Sequence, residues 1–232
     1  NEKTKEFHLY NNDLSYVIKI LSNNQLGNLY YGNRIHHKES FSYLLERGWR
    51  SLAAYVFEGD TNFSLQYTKQ EYPSYGTTDF RYPAFEIKQS NGSKITNFEY
   101  VDHNIFNGKK KLSGLPATYV ENEKEAQTLE IILYDCVIKT KLVLSYTIYE
   151  EFPVITRNAK FIYEGNEEIT LTKAMSCSVD LPDYDYEMVH LAGAWSRERH
   201  IKIRKLEQGV QSIYSLRGAS SAEHNPFIAL KR

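Results

Sequence analysis

The chain has only two cysteines in 232 residues, too few for the disulfide framework of a small secreted domain. Cys136 and Cys177 each stand inside a strand-like apolar run, which predicts buried free thiols. A disulfide stays open if those two strands are neighbours. Long hydrophobic runs are lacking as well. None approaches the roughly 18 residues of a membrane-spanning helix, and the N-terminus is polar, so neither a transmembrane helix nor a signal peptide is expected. Charge of one sign is not in excess: 28 basic against 29 acidic residues leave a net charge of -1. Interspersed signs give no electrostatic case for nucleic acid or an anionic membrane. The one basic run, Lys109-Lys110-Lys111, follows Asn107-Gly108 and reads as a solvated hairpin tip. Helical periodicity over three turns is absent throughout, as are an internal repeat and a low-complexity segment.

What is present is alternation. A hydrophobic content of 41% over this length supports a sizeable core. Ile138, Leu142, Leu144, Tyr146 and Ile148 fall on one face of a long strand, with Lys139, Lys141, Ser145 and Thr147 on the other. Strands are likewise predicted at Phe7-His8-Leu9-Tyr10, 14–21, 25–32, 128–134, 154–163 and 169–179, with hairpin turns at Asn91-Gly92, after Phe85-Glu86-Ile87-Lys88, and at Glu164-Gly165-Asn166-Glu167. The segment from Phe41 to Trp49 reads equally as a loop or a short helical turn. Half-buried strands without helices argue for antiparallel sheets packed face to face, an all-β fold forming one large β-sandwich over 1–232 with little or no helix. Two smaller sandwiches split near Lys110 are the alternative, although no linker-like run marks such a boundary.

One stretch departs from this texture. Glu71-Tyr72-Pro73-Ser74-Tyr75-Gly76-Thr77-Thr78-Asp79-Phe80-Arg81-Tyr82-Pro83-Ala84-Phe85 has no period of two, and its prolines remove backbone donors. It is predicted to run as an ordered irregular loop entering a strand near Ala84. Its residue types suit sugar binding and packing alike.

A set of blocks then carries a family resemblance. Tyr30-Tyr31-Gly32, the stretch from Glu71 to Ala84, Leu115-Pro116-Ala117-Thr118-Tyr119-Val120-Glu121, Thr128-Leu129-Glu130, Gly193-Ala194-Trp195 with Arg197-Glu198-Arg199, and Arg217-Gly218-Ala219-Ser220-Ser221 with Asn225-Pro226-Phe227 stand in order. Together they resemble the N-terminal domain of the bacterial α-galactosidases of glycoside hydrolase family 36, and the resemblance covers essentially the whole chain. It implies a β-supersandwich that precedes a (β/α)8 barrel, packs on that barrel, helps assemble a tetramer and walls a pocket for α-galactosides such as melibiose and raffinose. The two catalytic aspartates of the retaining mechanism are implied to lie in the barrel. No Lys-Trp-Asp motif occurs here, since Trp49 and Trp195 follow Gly48 and Ala194, so the chain is expected to be inert alone. No cofactor is implied, and the location expected is cytoplasmic, where the glycosylation-type triplets at Asn62 and Asn91 go unused. The start at Asn1 and the stop at Arg232, just after Phe227-Ile228-Ala229-Leu230, read as a piece of something longer.

The same resemblance selects candidates. The Leu45-Glu46-Arg47 region matches the place from which family members direct an acidic side chain to sugar hydroxyls, which makes Glu46 the first substrate-contact candidate. A solvated ion pair with Arg47 or Arg50 is the competing reading. Trp49, an aromatic face in an irregular loop, is the second candidate. Tyr75, Asp79 and Arg81 are expected as architecture at the join to a barrel, with Asp79 and Arg81 able to close a two-pronged pair. Trp195, Arg197 and Arg199 are expected in a cross-strand or interdomain network. A free-standing carbohydrate-binding β-sandwich is the alternative for the whole chain. His36-His37 with Glu39 has metal-ligand types but no second ligand cluster, and Ser220-Ser221 with His224 lacks a nucleophile elbow.

Overall fold

The computed structural model describes residues 1–55, 59–77, 79–114, 117–216 and 222–232. The blocks at 115–116 and 217–221, including the Ser220-Ser221 pair, and position 78 lie outside the described residues. In chain order the strands are β1 (Glu6–Tyr10), β2 (Leu14–Ile20), β3 (Leu26–Asn33), β4 (Phe85–Gln89), β5 (Glu99–Asn107), β6 (Ala126–Asp135), β7 (Thr140–Tyr149), β8 (Ile155–Tyr163), β9 (Ile169–Ala174), β10 (Glu187–Ala194), β11 (Arg197–Lys205) and β12 (His224–Lys231). Helix among the described residues is limited to two 3₁₀ turns, Ser42–Leu44 and Glu123–Glu125. The fold is all-β, and every strand pairing is antiparallel.

The chain divides into two compact units, Asn1–Asp180 and Leu181–Arg232. The first holds sheets ordered β1-β2-β3, β5-β6-β7-β8 and β4-β9; the second holds β11-β10-β12. In the first unit β7 shows how the sequence dictates packing. Leu142, Leu144, Tyr146 and Ile148 are buried, while Lys141, Val143 and Ser145 on the opposite face are half-buried. Their buried face joins Leu129, Ile131 and Leu133 of β6, Phe85 and Ile87 of β4, and Leu14, Tyr16, Ile18 and Ile20 of β2 in one core, so the sheets lie face to face. The strand β2 is unusual in being covered on both sides. Its other face carries Ser15 and Val17, both fully buried, under the segment after β3.

Three expectations are corrected. Cys136 and Cys177 are exposed free thiols, not buried ones. Cys136 sits in the turn after β6, where Asp135 Oδ1 accepts from the N–H groups of Val137 (2.9 Å) and Ile138 (3.2 Å), and Cys177 lies beyond the end of β9 at Ala174. A turn places Cys136 in solvent, and the end of β9 before Cys177 leaves that thiol on irregular, exposed chain. The Asn91-Gly92 turn forms, with Gly92 at φ +85° and Gln89 N–H donating to Ser93 at 2.9 Å, yet β4 does not pair with the next strand. It pairs with β9, and β5 pairs with β6. Likewise Glu164-Gly165-Asn166-Glu167 connects β8, paired with β7, to β9 in another sheet, so it is a crossover and not a hairpin. Turn residues specify a local reversal; burial of Phe85 and Ile87 in the common core, with half-buried Ile169 packed against it, decides the partner.

The Glu71 loop runs irregularly and enters β4 at Phe85. Tyr72 adopts a positive φ of 57° and stacks on Phe85 with ring centroids 5.5 Å apart. Glu71 itself is buried, and its carboxylate gathers donors from four strands. Oε2 accepts from Tyr16 (2.5 Å, β2) and the Asn28 amide (2.9 Å, β3). Oε1 accepts from Tyr146 (2.9 Å, β7) and from the Arg157 guanidinium (β8), whose other arm donates to the Ser178 carbonyl at 2.8 Å. Burial and then the Glu71 charge push both phenols well above their ordinary range. Burial alone would lower Arg157; Glu71 and the two tyrosines reverse this, and its pKa stands raised. The network therefore joins the β1-β2-β3 sheet to the four-stranded sheet through one charge.

Removing one partner of such a pair leaves the other charge buried. Glu71→Gln is expected to lower the unfolding free energy by about 3–5 kcal/mol, whereas Glu71→Leu combined with Arg157→Leu loses much less. Urea unfolding of the two variants checks this, and equal losses would count against a charge-based role.

Candidate functional site

The segment after β3 is pinned to the outer face of the β1-β2-β3 sheet before it reaches Glu46. Leu29, Phe41 and Val17 pack with Leu44 and Leu45, and Leu45 also meets Leu21, Phe63 and Leu65. Beside them the buried Glu6 carboxylate anchors the 3₁₀ turn. Its Oε2 accepts from Phe41 N–H (2.8 Å), and its Oε1 accepts from the hydroxyls of Ser42 (2.7 Å) and Ser40 (3.1 Å) and from Lys19 Nζ (3.0 Å). Burial tends to raise the Glu6 pKa, but Phe41 N–H, Ser42 and Lys19 together outweigh it and hold it below the usual carboxylate value.

From this anchored base the loop projects. The choice at Phe41 to Trp49 resolves into one 3₁₀ turn leading into an irregular segment. Gly48 N–H donates to Asn62 O (3.1 Å), its carbonyl accepts from the Tyr67 hydroxyl (2.5 Å), Arg47 pairs with Asp60 (3.1 Å), and the Arg50 guanidinium lies 4.4 Å over the Tyr67 ring. These contacts fold 46–50 against 60–67. At the tip Glu46 is exposed and its Oε1 receives the Arg50 guanidinium, four residues on. Its Oε2 makes no hydrogen bond among the described residues. Trp49 is 65% exposed, with Tyr43 (63%) and Leu52 also open to solvent. A free carboxylate oxygen and an open indole within three residues of each other are the groups that grip a hydroxyl and an apolar sugar face.

Asp79 and Arg81 meet as a two-pronged pair, Nε to Oδ1 at 3.0 Å and Nη2 to Oδ2 at 3.2 Å. Arg81 Nη2 also donates to the carbonyls of Leu65 and Thr68 (both 2.9 Å), and buried Asp79 accepts from the Gln70 amide. The pair thus clamps the Glu71 loop onto the end of the Glu46 loop. Tyr75 is half-buried, edge-on to Phe80 at 5.6 Å. In the second unit, Trp195 occupies the β10-β11 turn at 87% exposure, and Arg197 and Arg199 are exposed on β11 with no side-chain ion pair among the described residues.

Sequence reasoning missed Glu6 and Glu71. The available signal was indirect: Tyr16 and Tyr146 fall at core positions of alternating strands, and a buried phenol needs an acceptor. It also passed over His8, which stacks on His37 with Nδ1 to Nδ1 at 3.1 Å and contacts Ser15 Oγ through Nε2 at 2.9 Å. Burial first, then His37 and Arg34, lowers the His8 pKa to about 4. The two rings line a cleft of about 480 Å³ with Tyr10, Arg34, Lys38 and Phe41. Among the described residues no three His, Cys, Asp or Glu side chains form a metal-ligand group, and no helix is long and apolar enough to cross a membrane.

Comparison with known proteins identifies the family. Residues 24–232 match the sequence profile of the glycosyl hydrolase family 36 N-terminal domain. Alpha-galactosidase AgaA of Geobacillus stearothermophilus is 46% identical over 230 residues, 99% of this chain and 31% of the relative. Alpha-galactosidase Mel36A of Lactobacillus acidophilus is 35% identical over 99% of the chain and 31% of its own length. The crystal structure of AgaA superposes with a TM-score of 0.92 over 97% of this chain and 31% of that one, and a variant of AgaA has been solved with raffinose. The α-galactosidase structure from Lactobacillus brevis superposes at a TM-score of 0.95 with 39% identity, over 99% of this chain and 31% of that one. The chain thus spans about a third of the length of the relatives it matches.

The Glu6 anchor gives a pH signature. Because its folded pKa is lowered, its stabilisation is complete above the ordinary glutamate value of about 4.3 and is lost as pH falls through the lowered folded value. Glu6→Gln is expected to cost about 1–3 kcal/mol at pH 7. Urea unfolding of both proteins from pH 7 to pH 3 should show the gap closing, and a gap independent of pH would exclude the carboxylate as its source.

Proposed function

The chain belongs to the glycosyl hydrolase family 36 N-terminal domain family, and on that premise we propose that it is the non-catalytic N-terminal domain of an α-galactosidase. The enzyme is a retaining hydrolase of terminal α-D-galactosides of the melibiose and raffinose kind, and residues 1–232 form one such domain whose partner is a barrel on the same polypeptide. The observation that carries this reading is the match along 24–232 to one family's N-terminal domain, together with a span of about a third of α-galactosidases. Nucleophile and acid/base are assigned to the barrel.

In this reading the domain binds and positions. Glu46 accepts sugar hydroxyls through Oε2 while Arg50 holds Oε1, and the charge is spent on orientation, not proton transfer. Trp49 stacks on the pyranose C–H face. The rigid base supplied by Glu6, Leu45 and Phe41 is what makes an exposed loop able to define a pocket wall. Tyr75 with the Asp79–Arg81 clamp, and Trp195 with Arg197 and Arg199, serve contacts to the barrel and between subunits of a tetramer. The unpaired, exposed thiols of Cys136 and Cys177 fit a reducing, cytoplasmic location.

In the full-length enzyme Glu46→Ala is expected to raise KM for melibiose about tenfold, with a smaller loss in kcat. Unchanged kinetics would remove Glu46 from the site. Calorimetry of the chain alone against galactose and melibiose should show no binding; millimolar or tighter binding would favour a free-standing carbohydrate-binding module.

A further inference from the structure

The stem of the Glu46 loop is held by a chain of hydrogen bonds that starts in the core. Ser15 on β2 is fully buried, and its Oγ accepts from the N–H of Ile35 (3.1 Å), two residues past the end of β3. A buried hydroxyl needs an acceptor for its own proton, and among the described residues His8 Nε2, at 2.9 Å, is the partner in reach. Nε2 is then the accepting nitrogen, and neutral His8 carries its proton on Nδ1. That nitrogen lies 3.1 Å from Nδ1 of His37. The two ring planes differ by only 12°, and their centroids stand 5.4 Å apart, as far as a 3.1 Å contact between ring nitrogens allows. The nitrogens therefore point straight at each other, and His37 Nδ1 accepts the His8 proton. Burial first, then His37 and Arg34, hold the His8 pKa at about 4, so its ring is uncharged near neutral pH.

We propose that His8 is a positioning residue for the sugar contact assigned above to Glu46, a role that rests on that assignment: its Nδ1–H tautomer ties the loop stem to β1 and β2 at both Ile35 and His37. The same ring meets Phe41 edge-on, with centroids 4.9 Å apart. Phe41 is buried and packs with Val17, Leu29, Leu44 and Leu45, and Glu46 follows Leu45 directly. Tyr10 lies 4.7 Å from the His8 ring and carries the Arg34 guanidinium 3.8 Å over its own, so His8 is flanked as well as hydrogen-bonded. Glu6 fixes the loop at Phe41 and its neighbouring serines, but residues 36–39 ahead of that anchor are exposed. Among the described residues the His37 bond is what joins a side chain of 36–39 to a strand by hydrogen bonding. Without it the stem is free to move between Ile35 and Ser40, and the turn that presents Glu46 loses one of its two supports.

In the full-length enzyme His8→Phe keeps a ring against Phe41 but removes both hydrogen bonds. It is expected to raise KM for melibiose about tenfold with a smaller loss in kcat, and to speed backbone hydrogen exchange over 35–46 about fivefold or more. His37→Leu removes the acceptor alone and is expected to raise KM about threefold, whereas His37→Asn, whose amide oxygen can stand where Nδ1 stood, restores most of that loss. Because His37 is exposed, these two variants carry the test if His8→Phe does not assemble. Wild-type exchange rates in His8→Phe, or His37→Asn as impaired as His37→Leu, overturn the relay. Faster exchange with an unchanged KM also overturns the role of His8, and Glu46→Ala then locates the failure. A raised KM in Glu46→Ala leaves the sugar contact standing and removes only its positioning; an unchanged one shows that the assignment of Glu46 failed first.

Discussion

The first unit depends on a carboxylate that is almost wholly removed from water. Glu71 sits where a loop passes between two sheets, and its two oxygens are shared by Tyr16, Asn28, Tyr146 and Arg157. A buried charge is tolerated only when every lone pair is used and a counter-charge stands close. Here both conditions are met by residues on β2, β3, β7 and β8. The consequence is mutual dependence: each sheet holds part of the solvation shell of a charge that lies in neither. Apolar burial across the same interface supplies the larger attraction, but it is indifferent to small slips, whereas a carboxylate with four donors accepts only one relative position of the sheets.

The same logic extends outward to the Glu46 loop. Because β2 is covered on both faces, the core side locks the sheet and the outer side becomes a platform for Phe41, Leu45 and Phe63. A second buried acid, Glu6, fixes the start of the loop, and the Asp79–Arg81 clamp fastens the Glu71 loop to its end through the carbonyls of Leu65 and Thr68. Exposed Trp49 is therefore presented by a rigid support and not by a floppy tip. On the proposed reading of Glu46 and Trp49, that support is the relevant contribution, since orientation costs are met by folding before a sugar arrives.

Much of this was legible one residue at a time and some was not. The strand β7 could be read because side chains alternate with a period of two, and Leu142, Leu144 and Tyr146 announce their face whatever they pack against. The irregular course from Glu71 to Phe85 could be read because proline and glycine act on their own backbone. The burial of Glu71 could not, since its partners lie as far as 86 positions away and an acid beside a proline loop looks solvated. Cys136 was misjudged because its apolar neighbours belong to β6, whereas the cysteine itself stands at the turn beyond the last pair. The two expected hairpins failed for a related reason: a turn dipeptide controls four residues and has no influence on which strand arrives alongside.

Local stereochemistry and period were enough for the sequence by itself to determine the all-β class, the positions of most strands, the ordered loop and the set of blocks that mark the family. Only tertiary structure decided where charge could be hidden and which strands would meet. Glu6 and Glu71 owe their roles to groups brought from distant segments. Desolvation and hydrogen-bond geometry depend on distances in space, and no local pattern along a chain encodes them.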